Sequence, residues 1–167
     1  MLYRWVFRLP WNVIQEVAAD QNLPANLLAA LVQVESNGDQ YACRFEKDYK
    51  YLFETKQNAK DNNITETTEM MLQMTSWGLT QVMGAVGREL GLKGPLLQLT
   101  DPEINLTYCA KLLKRLASKH TERNDIIASY NAGSPVRTLD GKYRNQGYVD
   151  KVNAALAVFD EIQKGGK

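Results

Sequence analysis

Apolar residues recur at helical spacing along most of the chain. Over 11–20 (WNVIQEVAAD) they fall at Trp11, Ile14, Val17 and Ala18, one face of a helix. The polar run Asp20-Gln21-Asn22 interrupts that pattern. Pro24 predicts the first turn of a second helix, PANLLAALVQVES, which Asn37-Gly38 stops. Over 100–118 the sequence predicts a third, with Thr100 as N-cap, Pro102 and Glu103 in the first turn, and Ile104, Leu106, Cys109, Leu112, Leu113 and Leu116 along one side. Residues 124–130 predict a short helix running into Asn131-Ala132-Gly133, and 147–162 (GYVDKVNAALAVFDEI) a final amphipathic one. No alternating strand pattern of any length occurs, apart from short pieces within 39–75.

That segment breaks the rhythm. Residues 39–75 interleave Lys, Asp, Thr and Asn with aromatics, and Tyr41, Phe45, Tyr49, Tyr51 and Phe53 fall close together. A structureless loop of such length is uncommon in a compact domain unless it is functional or partly ordered. Rings of this kind either pack a loop down or offer flat faces to sugars or bases.

The chain has 167 residues, enough for a single α-helical domain with its own core. It carries 20 basic and 19 acidic residues, a net charge of +1, which supplies no general drive toward nucleic acid. No apolar run is long enough to span a bilayer. The N-terminal stretch MLYRWVFRLPWNVIQ is broken by Arg4, Arg8 and Pro10 and does not read as a signal peptide. Cys43 and Cys109 are far apart and read as free thiols, with a disulfide as the alternative. The single histidine, His120, leaves neither a zinc site nor a His-based triad to expect, and no metal or cofactor is implied.

Glu35 is the residue that changes the picture. It lies seven positions after Leu28 and four after Leu31, on the same row as Leu28, Leu31 and Val32. A carboxyl in a core row marks either a helix end emerging into solvent or a functional group. In the second case desolvation disfavours the charged form and raises the pKa, as a general acid requires.

Other segments fall in order around it. Glu35-Ser36-Asn37-Gly38 is followed by Ser76-Trp77-Gly78-Leu79-Thr80-Gln81-Val82-Met83, by Asp101-Pro102 with Asn105, by Ala128-Ser129-Tyr130-Asn131-Ala132-Gly133, and by Tyr148-Val149. Each is weak alone. Together and in register, over about residues 11–155, they resemble the soluble lytic transglycosylase (SLT) domain, whose fold is similar to goose-type lysozyme. The resemblance implies a mainly α, lysozyme-like domain with a peptidoglycan cleft and an insertion at about 39–75. It implies Glu35 as acid/base and Tyr130 as the tyrosine that hydrogen-bonds and orients it. It implies Gly78, Leu79, Gln81 and Met83 as the cleft-lining segment, Gly78 allowing close backbone approach to the glycan and the Gln81 amide meeting sugar polar groups. Asn131 follows as a cleft neighbour, Ser76 as the small polar residue between motifs, and Tyr148 as a later tyrosine that either packs or binds.

Two departures accompany the resemblance. The insertion lengthens the spacing from Glu35 to Gly78, and its Arg44-Phe45-Glu46 resembles a segment of phage-type members. Glu46 is therefore either a second carboxylate or a solvated surface residue. Cys109 stands where the family tends to have a small residue and is expected to be packed and inert. The activity implied is cleavage of the bond between N-acetylmuramic acid and N-acetylglucosamine with a 1,6-anhydro product. The alternatives are a hydrolytic muramidase using Glu46, or a wall-binding or virion structural module without catalysis. The expected partner is the peptidoglycan glycan strand, with no nucleic acid and no membrane span, and a monomer is expected. Without a signal peptide, a phage-encoded enzyme acting on the bacterial wall is expected.

Overall fold

A computed structural model describes residues 9–165; the N-terminal residues 1–8, read above for targeting signals, lie outside the described residues. The expected mainly α fold is observed. Helix α1 (Trp11–Gln21) ends at Asn22, which takes the left-handed conformation. Helix α2 (Ala25–Glu35) follows, with Pro24 as its N-cap rather than a first-turn residue. Leu28, Ala29, Ala30, Leu31 and Val32 are all fully buried, so the middle of α2 is enclosed on every side and not only along one stripe. It packs mainly against α8 (Gln146–Gly165), while α1 lies along α6 (Pro102–Ala117). Trp11 stacks on Phe159 at 5.7 Å between ring centres, joining α1 to α8. Helix α7 (Arg123–Ala132) bridges α6 and α8 and ends at Gly133.

The cap of α6 differs from expectation. Asp101, not Thr100, accepts the hydrogen bond from the Ile104 amide at 3.0 Å. The Thr100 hydroxyl turns back to the Leu97 carbonyl, closing a short 3-10 turn, Leu96–Thr100.

The segment 39–75 is largely ordered. It contains strand β1 (Cys43–Phe45), helix α3 (Thr55–Asp61) and helix α4 (Glu66–Gln73). Strand β1 pairs antiparallel with β2 (Thr75–Trp77), and β2 with β3 (Val82–Met83). The short strands thus extend beyond the insertion into the 76–83 motif. The two insertion helices escape a hydrophobic-pattern reading because what they bury is mostly polar: Asn58, Glu69 and Gln73. Gln73 holds the incoming chain with both ends of its amide, accepting from the Phe53 N–H and donating to the Phe53 carbonyl, each at 2.8 Å.

Beneath it, Glu69 receives Arg88 of α5 (Gly84–Glu89) through two parallel hydrogen bonds, Nε to Oε1 at 2.8 Å and Nη2 to Oε2 at 3.0 Å. Both side chains are essentially excluded from solvent. Arg88 Nη1 also donates to the carbonyls of Leu92 and Gly94, and Gln73 donates to Glu69 Oε1 at 2.9 Å. Both partners are thus extensively hydrogen-bonded, as a buried ion pair requires. The helices can approach closely because α5 begins at Gly84, where a Cβ would lie 2.3 Å from the Leu72 carbonyl oxygen.

Removing one member of this pair strands the other. Arg88→Met is expected to lower stability by about 3–5 kcal/mol. Glu69→Met combined with Arg88→Met should recover a large part of that loss, because no uncompensated charge remains buried. Denaturant midpoints of the parent, the single variant and the double variant test both statements.

Candidate active site

Helix α2 delivers Glu35 to its own last position, and the chain leaves through Ser36 and two left-handed residues, Asn37 and Gly38. Ser36 secures that end by donating its hydroxyl to the Leu79 carbonyl at 2.7 Å. Glu35 is half-buried, at one side of a cleft of about 640 Å³. Across that cleft stand Arg44 and Glu46 from the insertion, Ser76, Gln81 and Met83 from the β2–β3 region, and Tyr130 and Asn131 from the end of α7.

The hydroxyl that meets Glu35 belongs to Tyr148. It donates to Glu35 Oε1 at 2.5 Å from the first turn of the final helix. Tyr130, expected in that place, instead donates to the Thr80 carbonyl at 2.8 Å and lies 3.5 Å from Cys109 Sγ. A phenol has one proton to give. With Tyr130 committed to Thr80, the orienting hydrogen bond falls to Tyr148.

Burial pushes the Glu35 carboxyl above the ordinary carboxylate range; the Tyr148 hydrogen bond and the Arg44 charge pull the other way and only offset part of it. Tyr148 and Tyr130 are both raised by burial, with the charge of Glu35 adding to the effect, so both phenols remain donors. Cys109 is fully buried, its thiol pushed up to about 12, and it is a free thiol, as is the exposed Cys43.

The 76–83 segment holds itself together more than it faces the cleft. Gly78 has a φ of 68°, and a Cβ there would lie 2.4 Å from the Leu99 carbonyl oxygen and 2.6 Å from Asn105 Nδ2. Glycine is required by the turn and by Asn105, not by approach of a sugar to the backbone. Leu79, expected in the cleft, is 1% exposed and belongs to the core. The Gln81 amide is occupied internally. Nε2 donates to the carbonyls of Ala42 and Gly78, and Oε1 accepts from Ser76 Oγ at 2.9 Å. Gln81 and Ser76 therefore line the cleft as a bonded pair. Met83 and Asn131 stand at its edge, and Asn131 Oδ1 accepts from Asn145 at 3.0 Å.

Glu46 reaches the cleft, but one of its oxygens is 2.5 Å from Arg44 Nε. Of the insertion's aromatics, Phe45, Tyr49 and Tyr51 line the cleft, with Tyr49 and Tyr51 packed edge to face at 5.7 Å. Tyr51 is 82% exposed, so this wall offers ring surface that the fold itself leaves uncovered. Among the described residues no three His, Cys, Asp or Glu side chains gather as a metal centre, and no helix is long and apolar enough to cross a membrane.

Residues 12–151 match the Transglycosylase SLT domain. The chain belongs to that family. No curated protein and no solved structure shows a significant match to it. As an SLT domain, with the family's α-helical lysozyme-like fold, it is a transglycosylase in the general sense, cleaving glycosidic bonds in peptidoglycan. The match covers α1 through the start of α8, so Glu35 and Tyr148 both lie inside it, and so does the insertion.

A carboxyl held high in the folded SLT domain binds its proton more tightly there than in the unfolded chain. Its contribution therefore favours folding at low pH and is lost as pH rises through the raised folded-state value. Glu35→Gln removes that dependence while keeping an oxygen for Tyr148. The variant and the parent should melt together near about pH 4, and the variant should gain on the parent as pH rises toward neutrality. Thermal melts across that range check the sign; a parent that gains on the variant with rising pH would show Glu35 to be stabilised as the anion.

Proposed function

We propose that this SLT domain is a lytic transglycosylase that cuts the bond between N-acetylmuramic acid and N-acetylglucosamine, with Glu35 as both acid and base. The observation that carries this reading is one desolvated carboxyl at the cleft wall, hydrogen-bonded from behind by Tyr148, while the nearby Glu46 is engaged by Arg44.

Protonated Glu35 donates to the glycosidic oxygen as the bond from that oxygen to C1 of the muramic residue breaks. The substrate's own N-acetyl carbonyl stabilises the positive charge that develops at C1. Glu35, now a carboxylate, takes the proton of the C6 hydroxyl, and O6 closes onto C1. The products are an N-acetylglucosamine end and a 1,6-anhydro-N-acetylmuramic end, with no water consumed and the acid regenerated. Hydrolysis by paired carboxylates places a second one to activate water. An internal hydroxyl needs no such partner and has a high effective concentration. Ser76, Gln81, Met83 and Asn131 form the rest of the glycan-facing wall in this reading, and Tyr130 supports it through Thr80.

Glu35→Gln should fold and lose about a hundredfold to ten-thousandfold or more in rate, read as muropeptide release from purified peptidoglycan. Parent enzyme working in oxygen-18 water should yield anhydro ends without label. Labelled reducing ends would instead identify a muramidase, and full activity in the folded Glu35→Gln protein would remove Glu35 from the chemistry.

A further inference from the structure

The insertion brings a cation into the cleft in an arrangement that stability does not explain. Strand β1 ends at Phe45, and Arg44, Phe45 and the next residue, Glu46, all line the cleft. Arg44 is paired across the sheet with Ser76, itself a cleft residue, and the Glu46 amide continues the ladder by donating to the Met74 carbonyl at 2.8 Å. Arg44 is therefore fixed at its base, yet its side chain is 75% exposed. An ion pair this open contributes little to folding. Its Nε engages Glu46 Oε1 at 2.5 Å. Among the described residues its two terminal nitrogens have no hydrogen-bond partner, so the part of the guanidinium suited to a planar anion is left over. Lys47 and Asp48 line the same cleft with opposite charges, so the cation left open is Arg44.

We propose that Arg44 is a specificity-determining residue that takes a carboxylate carried on the 3-O-lactyl arm of the N-acetylmuramic residue, Glu46 holding its guanidinium in place in the free protein. This rests on the peptidoglycan reading above. The lactyl arm is what distinguishes the muramic sugar from N-acetylglucosamine. Its carboxyl is free in strands stripped of peptide; in native strands it is amide-linked to a stem that carries carboxylates further out. Both sources present the same chemistry to a guanidinium. Neutral N-acetylglucosamine oligomers present none.

Equilibrium binding in a Glu35→Gln background measures recognition without turnover, and so stands apart from whether the parent makes anhydro ends. Three probes are used: stem-bearing glycan fragments, amidase-stripped fragments and N-acetylglucosamine oligomers. Adding Arg44→Gln should weaken binding of the carboxylate-bearing fragments by about tenfold or more, the size of a lost charged hydrogen bond, and leave the neutral oligomers unchanged. Arg44→Lys should recover part of the loss. Glu46→Gln should cost these fragments much less than Arg44→Gln, because the terminal nitrogens that take the carboxylate are not the ones Glu46 engages. A loss confined to stem-bearing or to stripped fragments supports the proposal and identifies which carboxylate is read. An equal loss on neutral oligomers, no loss on either charged probe, or a Glu46→Gln loss matching that of Arg44→Gln would overturn it.

Discussion

Asn105 is the residue on which the cleft depends. It is fully buried near the start of α6, and its amide makes four hydrogen bonds. Oδ1 accepts from the Thr80 N–H at 2.9 Å and from the Thr80 hydroxyl at 2.7 Å, while Nδ2 donates to the carbonyls of Trp77 and Leu99, both at 2.8 Å. The turn from Trp77 to Thr80 joins β2 to β3 inside the protein, where its peptide groups have no water to fall back on. Asn105 supplies the missing partners. Other parts of the site attach to this turn in their turn. Ser36 reaches the Leu79 carbonyl and so fixes the end of α2, Tyr130 reaches the Thr80 carbonyl from α7, and the Gly78 amide takes the Ala42 carbonyl at 2.7 Å and so fixes the approach to β1. Three separate segments attach to a turn that one buried side chain holds.

This explains which parts of the site were legible in the sequence. Glu35 stood out because it interrupts an apolar row, and the structure leaves it at the core's edge beside the cleft. The order of motifs marked the same chain segments that the fold gathers. It did not show what satisfies each group. Gly78 and Gln81 look like glycan contacts when the sequence is read alone, yet Gly78 is constrained by Leu99 and Asn105, and the Gln81 amide is consumed by Ser76, Ala42 and Gly78. A turn with two left-handed residues and a buried amide beneath it constrains its sequence as strongly as a ligand would. The choice between the two tyrosines was equally hidden, since both lie near Glu35 and only the hydrogen-bond geometry separates them.

The helices were legible where their buried side is apolar and invisible where it is polar. Helices α2, α6 and α8 bury leucines, valines and alanines at regular spacing. Helices α3 and α4 carry little of that signal; they are held by Asn58, which reaches back to the Phe53 carbonyl, and by Gln73 and Glu69, whose partners Phe53 and Arg88 lie in other segments. Such a network has no period to detect. Its consequence reaches the cleft, because β1 can carry Arg44 and Phe45, with Glu46 just beyond its end, to the cleft only if the rest of the insertion is anchored to the main domain.

In the mechanism we propose, the arrangement also sets the direction of proton transfer. Tyr148 occupies Glu35 Oε1, and the other carboxyl oxygen has no hydrogen bond among the described residues. A phenol donor cannot share its oxygen partner with a carboxyl proton at no cost, so the proton belongs on Oε2, the oxygen without a hydrogen bond. Cys109 supports this by staying uncharged. Its thiol, lifted to about 12, adds no negative charge behind the carboxyl that sheds and regains a proton in the proposed cycle. In the proposed mechanism the same Tyr148 hydrogen bond stabilises the carboxylate after the first transfer, and burial resists that charge. A base held in such balance readily takes back a proton from a hydroxyl placed beside it. In the mechanism we propose, Tyr148 from behind and burial from around are what let one carboxyl serve both halves of the reaction.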